Sequence, residues 1–214
     1  MTRARILGSA LILCALAAAC GSQPSVKVRA GPRRTPDDVG RRSEAGPGGV
    51  RYFGPVIGDY AATGVTRDDK RVDIPKLMAA LKAIGARDYF HLVWGRPVQE
   101  EGWEDFKRLA GECQAAGIRL WLYLVPPSEP PPPEPFGSDY PRWAVECAVV
   151  AKAHPCVAGL CIDDFNGNTD LFTPAYCRKM MEAGRKVAPN LALLVVNYFG
   201  YYDSMAEHVR KGAI

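Results

Sequence analysis

Histidine is scarce in this 214-residue chain, which has only His91, His154 and His208. They fall on a strand pattern, at the opposite end of the sheet and in the last helical pattern, so their spacing builds no metal cluster. No His-x-His follows the first strand pattern, which argues against a metal-dependent hydrolase. No Gly-x-Gly-x-x-Gly and no phosphate-binding loop opens a helical pattern, so neither a nucleotide nor another cofactor is expected. A Gly-x-Ser-x-Gly elbow is also missing. Beyond position 50 there are five cysteines, Cys113, Cys147, Cys156, Cys161 and Cys177, with no Cys-x-x-Cys among them. That odd set makes a poor disulfide framework and a poor zinc site, so the thiols are expected to pack as small apolar groups.

Aromatic residues are missing from the first 50 positions; all 20 come later. Acidic residues are missing from the first 20, which carry Arg3 and Arg5. Residues 21–50 add six basic and three acidic side chains. Of the 27 Lys+Arg and 23 Asp+Glu, 19 and 20 therefore remain from Arg51 onward. The formal +4 belongs to the amino-terminal segments, and the part able to fold is balanced, which argues against a nucleic-acid partner.

Arg3 and Arg5 precede a mostly apolar run from Ile6 to Ala19, the form of a secretory signal over 1–20. At about 1.5 Å per residue such a run is too short for a hydrocarbon core of about 30 Å. Leu16-Ala17-Ala18-Ala19-Cys20-Gly21 resembles a bacterial lipoprotein lipobox, with Leu16 one place earlier than the pattern has it. The resemblance implies acylation at Cys20, an anchor in the membrane and a place in the cell envelope. Ala17-x-Ala19 equally suits ordinary signal peptidase and release to the periplasm or exterior, and an uncleaved anchor is the third alternative. Residues 21–50, rich in Gly, Pro, Ser and Arg, cannot bury enough apolar surface to offset their ordering entropy and read as a disordered tether.

From Arg51 to Ile214 the period of the apolar pattern alternates. Strands are expected at Tyr52–Tyr60, Tyr89–Trp94, Ile118–Val125, Val157–Asp163 and Leu191–Tyr198. Between them, Ile74, Leu77, Met78, Leu81 and Ile84 trace one face of a helix. Trp103, Phe106, Leu109, Ala110 and Cys113 trace another, and further helices are expected at Pro141–Ala153, from Thr173 toward Ala188 and over Ser204–Lys211. This βα rhythm predicts an α/β fold with a parallel sheet, as about five units of a (β/α)₈-type TIM barrel. A whole barrel takes about 250 residues, so the expectation is an incomplete one, with a finished five-stranded open sheet as the alternative.

Long loops follow the strands' carboxyl ends, where α/β proteins place their sites. Strand alternation predicts that His91, Tyr123, Asp163 and Asn197 turn inward at that end, with Trp94, Asp59 and Asp164 near the rim. Adjacent Asp163 and Asp164 at the end of an apolar strand are costly to bury unless paired or used. The two are expected to point apart, so that a second carboxylate comes from another strand. A structural ion pair of Asp163 with Arg119 or His91 is the bland alternative. Trp94, Trp103 and Tyr140 are candidates for stacking on sugar rings, although Trp103 and Trp143 sit at helix-core spacing. Glu129-Pro130-Pro131-Pro132-Pro133-Glu134-Pro135 reads as a stiff rim on the site face.

Three segments carry a resemblance: Tyr89-Phe90-His91-Leu92-Val93-Trp94, Gly117-Ile118-Arg119-Leu120-Trp121-Leu122-Tyr123, and Gly159-Leu160-Cys161-Ile162-Asp163-Asp164-Phe165. They resemble the second to fourth strands of glycoside-hydrolase-like TIM barrels, nearest to secreted bacterial barrel proteins. The likeness covers roughly residues 51–203. It implies a carbohydrate ligand and a strand-four acid at Asp163, joined by Asp164, as catalytic residues. The chitinase-type Asp-x-x-Asp-x-Asp-x-Glu series is absent: Gly159, Cys161, Asp163 and Phe165 occupy those places. The expected function is therefore acid/base chemistry on carbohydrate with Asp163 as the general acid; a non-catalytic carbohydrate-binding or surface protein, or an inactive fragment, is the alternative.

Overall fold

The computed structural model describes residues 58–61, 71–96, 98, 99, 101–198 and 202–214. The expected leader, Cys20 and the tether lie outside the described residues. Five parallel strands, β1 (Gly58–Ala61), β2 (Asp88–Val93), β3 (Arg119–Leu124), β4 (Val157–Ile162) and β5 (Ala192–Val195), form one sheet in sequence order. Helices α1 (Ile74–Ala83), α2 (Gly102–Ala116), α3 (Tyr140–Ala153) and α4 (Pro174–Arg185) cross between them, and α5 (Tyr202–Arg210) follows β5. Right-handed crossovers that always step to the next strand place every connecting helix on the same face. A doubly wound fold would reverse direction at a switch point.

The helices form where the sequence supplies stripes and caps. Asp73 accepts from the Lys76 amide at 3.2 Å, Pro75 stands in the first turn of α1, and Ile74, Leu77, Met78 and Leu81 are its buried stripe. Asp139 and Thr173 cap α3 and α4 in the same way. Gly117, at φ 68°, ends α2 in the left-handed conformation that favours glycine. Asp105 lacks solvent contact in the first turn of α2, yet it is satisfied by Arg71 Nε at 3.0 Å, Arg71 Nη2 at 2.7 Å and the Val72 amide at 3.0 Å.

The main core lies between sheet and helices. Trp103 stacks on Phe106 at 5.4 Å and meets Trp143 edge-on at 5.4 Å, while Phe136 folds back from the β3–α3 loop onto Trp143 at 4.7 Å. Each such pair contributes about 0.5–1.5 kcal/mol beyond its buried area. Trp103 and Trp143 therefore serve packing, as their helical spacing indicates. Tyr140, a sugar-stacking candidate, is instead fully buried and donates its hydroxyl to Val125 O at 2.8 Å.

A second cluster, Leu92, Tyr123, Val125 and Cys161 with Phe90, Trp94, Leu194 and Val196, covers the face away from the helices. It corrects the expected orientation of β2. Phe90 stacks on Trp121 at 5.7 Å, and Asp88 takes Trp121 Nε1 and Arg119 Nη2, each at 2.7 Å. With the register Phe90↔Trp121 fixed, alternation turns Tyr89, His91 and Val93 toward the helices. β4 also departs from strict alternation. The register slips beside Leu120/Trp121, so Val157 joins the helix-side core while Gly159 and Cys161 face away from it. At Gly159 a Cβ would lie 1.9 Å from Ala192 O, so only glycine allows β4 and β5 to pair this closely.

Candidate functional site

The ladder between β3 and β4 runs one bond past the strands: the Asp163 amide donates to Leu124 O at 3.0 Å. This fixes Asp163 on the face of Cys161, beside Tyr123, whose side chain hydrogen-bonds the Asp163 carboxyl. The next residue breaks the strand. Asp164 sits at φ 37°, ψ 37°, a left-handed conformation unusual for a side-chain-bearing residue, and leads into a 3-10 turn at Phe165–Asn168. Its amide closes on Asp163 Oδ1 at 2.9 Å, and the Phe165 amide donates to Val196 O at 3.1 Å. Strain of this kind persists only where surrounding contacts fix it, and here they do.

The turn keeps Asp164 close enough to Asp163 for their charges to interact, and a further carboxyl group comes from outside β4. Both aspartates act on this third acid, Glu129, in the β3–α3 loop. Glu129 shares a hydrogen bond with Asp164 and feels the charge of Asp163 as well as Asp164. Loss of water is the largest influence on Glu129, and with its two neighbours it holds the carboxyl up to about 7. Burial likewise raises Asp163 above the usual carboxylate range, with the Tyr123 phenol and the Asp164 amide opposing it. Tyr198 reaches Asp164 from beyond β5, and that hydrogen bond, followed by burial and the three negative neighbours, raises the phenol. Glu129 is thus the raised carboxyl of the cluster, hydrogen-bonded to Asp164 with Asp163 alongside.

Asp164 Oδ1 and Trp94 Nε1 are buried with no hydrogen-bond partner, one an acceptor and one a donor. Trp94 is held from behind by Gln99, which accepts from the Trp94 amide at 2.7 Å and donates to Leu92 O at 2.9 Å. The proline-rich segment packs on the end of β2 so closely that a Cβ on Gly95 would stand 2.2 Å from Pro132 O, and Glu134 pairs with Arg96 at 3.0 Å. The expected stiff rim is therefore docked on the strand that carries Trp94.

Of the residues singled out in the sequence, Asp163, Asp164, Tyr123 and Trp94 lie at the carboxyl end of the sheet on or beside the face away from the helices. His91 does not join them. Its Nε2 is 3.0 Å from Gly102 O, Phe106 packs beside it, and burial pushes its pKa down to about 4, so it is a neutral core histidine. Asn197 is also out of step: alternation along β5 gives Leu194 and Val196 to the site face, and Asn197 Oδ1 is buried without a partner. Asp59 pairs through its backbone with Tyr89, and its side chain lies outside the described residues. Arg119 pairs with Asp88 near the other end of the strands, so it forms no ion pair with Asp163.

Glu129 is the site residue that sequence reasoning missed. It looked like one charge in a proline tract, and only the folding of that loop over the strand ends brings it to Asp164. Among the described residues no set of three or more His, Cys, Asp or Glu side chains has metal-holding geometry. A groove of about 720 Å³ lined by Ile74, Met78, Lys82, Arg108 and Glu112 belongs to the outer surface of α1 and α2, and it brings together no comparable acid cluster. No family model matches the chain, and no curated protein matches it.

Proposed function

We propose that the Glu129–Asp163–Asp164 cluster is an acid/base site for a carbohydrate ligand, on a sheet that forms part of a glycoside-hydrolase-like (β/α)₈-type barrel. The observation that carries this reading is the meeting of Glu129 with Asp164 beside Asp163, where burial first and these two neighbours second raise the Glu129 carboxyl to about 7. A general acid must be protonated when its substrate arrives, and a pKa near the working pH is the useful value. Glu129 therefore takes the part of proton donor to a glycosidic oxygen. Asp163, steadied by Tyr123, is the carboxylate that activates water or stabilises positive charge at the anomeric carbon. Asp164 receives the proton's hydrogen bond in the unliganded state. The role given from the sequence to Asp163, general acid, passes to Glu129.

The surroundings support a sugar. Trp94 and Tyr198 offer ring surface and polar tips, and the orphaned Trp94 N–H and Asp164 Oδ1 match a ligand rich in hydroxyls, which donate and accept alike. The sequential strand order and an apolar, aromatic face opposite the helices are what one arc of a closed barrel presents. Export, with or without a lipid at Cys20, remains part of this proposal because it rests on the leader sequence alone.

Hydrolysis of a panel of aryl glycosides and oligosaccharides is the test. Turnover by the native chain, reduced at least about 100-fold in both Glu129→Gln and Asp163→Asn with the ligand still bound, supports catalysis. Saccharide binding without turnover in any condition leaves a binding protein built on the same site. The absence of both binding and turnover overturns the reading.

A further inference from the structure

The acid cluster is assembled from two loops that have no covalent reason to stay together. Glu129 rides on the segment after β3, and Asp164 on the turn after β4. One side chain bridges them. Asn168, at the end of the 3-10 turn, accepts from the Ser128 amide with Oδ1 at 3.3 Å and donates from Nδ2 to Ser128 Oγ at 2.8 Å. The same Nδ2 donates to Asp164 O at 2.9 Å. The carboxamide thus holds the residue before Glu129 and the backbone of Asp164 at once. Its own backbone is fixed as well, because Asn168 O accepts from Phe172 at 2.9 Å.

We propose that Asn168 is a positioning residue that clamps the Glu129 loop onto the Asp164 turn and so brings the two acids together. The proposal rests on the acid/base reading of that pair and adds the part that assembles it. The chemistry requires an amide. A carboxylate at this place could accept from the Ser128 amide but has no hydrogen to give to Asp164 O or Ser128 Oγ, and an aliphatic residue could do neither. The clamp lies on the loop side of both acids, so its effect on a ligand is exerted through Glu129 rather than by contact.

The experiment follows the Glu129 side-chain carboxyl by carbon NMR against pH in the full chain, with Glu129→Gln identifying the signal. In the native chain the midpoint is expected at about 7. Asn168→Ala frees the loop, returns Glu129 to water and separates it from Asp164. Its midpoint then falls from about 7 toward the ordinary 4.5 while the amide spectrum of the core is unchanged. Ser128→Ala, which keeps the backbone contact, gives a smaller fall of the same sign. A midpoint that stays at about 7 in a folded Asn168→Ala protein overturns the proposal. Should Asn168→Ala not fold, an unchanged midpoint in Ser128→Ala overturns it. A native midpoint already in the ordinary range is a different failure: it removes the acid reading beneath the proposal as well.

Discussion

Tyr123 and Asp163 stand at the ends of neighbouring strands on one face of the sheet, and the phenol hydrogen-bonds the carboxyl. That bond favours the ionised carboxylate against the burial that raises it. Tyr123→Phe removes the opposing influence and leaves the ring in place, so the Asp163 titration moves to higher pH. A carboxyl NMR titration of Asp163 checks the direction. If Asp163 serves as the ionised partner, the same variant shifts the acidic limb of any pH–rate profile upward.

His91 and Glu129 contribute to stability with opposite dependence on pH. The histidine is depressed from 6.5 to about 4 in the folded chain, so its contribution is complete above pH 6.5 and lost as pH falls toward 4. Glu129 is raised from 4.5 to about 7, so the folded chain binds its proton more tightly than the unfolded chain does. Its contribution is complete below 4.5 and lost as pH rises toward 7. Because Glu129 is only partly buried, screening limits its share to about 1 kcal/mol. Denaturant titrations at several pH values are expected to show a fall in stability with rising pH that is steeper in His91→Leu than in the native chain. Glu129→Gln removes that fall and leaves the rise due to His91.

The close approach of β4 and β5 depends on Gly159. Gly159→Ala puts a methyl group 1.9 Å from Ala192 O, a clash with backbone that no rotamer relieves. The expected loss is about 2–4 kcal/mol in urea unfolding, with β5 and the Val196 contact to Phe165 loosened.

Asp88 supplies a control away from the acids. It is buried and takes both Trp121 Nε1 and Arg119 Nη2. Asp88→Ala strands a buried indole N–H and an arginine together, at a cost of about 3 kcal/mol. The Glu129 titration is expected to be unchanged in the folded protein, which thermal unfolding and carboxyl NMR together check.

Helix faces and caps were legible because each is written within one local segment. Ile74, Leu77, Met78 and Leu81 recur at helical spacing, and Asp73 and Gly117 mark helix ends. The parallel α/β order followed from the same rhythm. Which way β2 faced was not legible, since Tyr89-Phe90-His91-Leu92-Val93-Trp94 is apolar or aromatic on both sides. Its orientation is decided by Asp88 meeting Trp121 across 33 residues. Asp163 and Asp164 were visible as acids at the end of an apolar strand, and Tyr123 by its alternation. Their partner Glu129 was hidden, because nothing in a proline tract says which strand end it will cover. The turn at Asp164 was hidden as well: a left-handed aspartate looks like any other in sequence.

The central claim is that the carboxyl end of this sheet, around Glu129, Asp163, Asp164 and Trp94, receives a saccharide. The most direct measurement is a nitrogen–proton NMR titration of the full chain with neutral oligosaccharides, watching the Trp94 indole N–H and the Asp163 and Asp164 amides. The account predicts saturable shifts centred on those three signals, lost in Glu129→Gln,Asp163→Asn. Shifts confined to the groove between α1 and α2, or no shift with any saccharide of the panel, would contradict it.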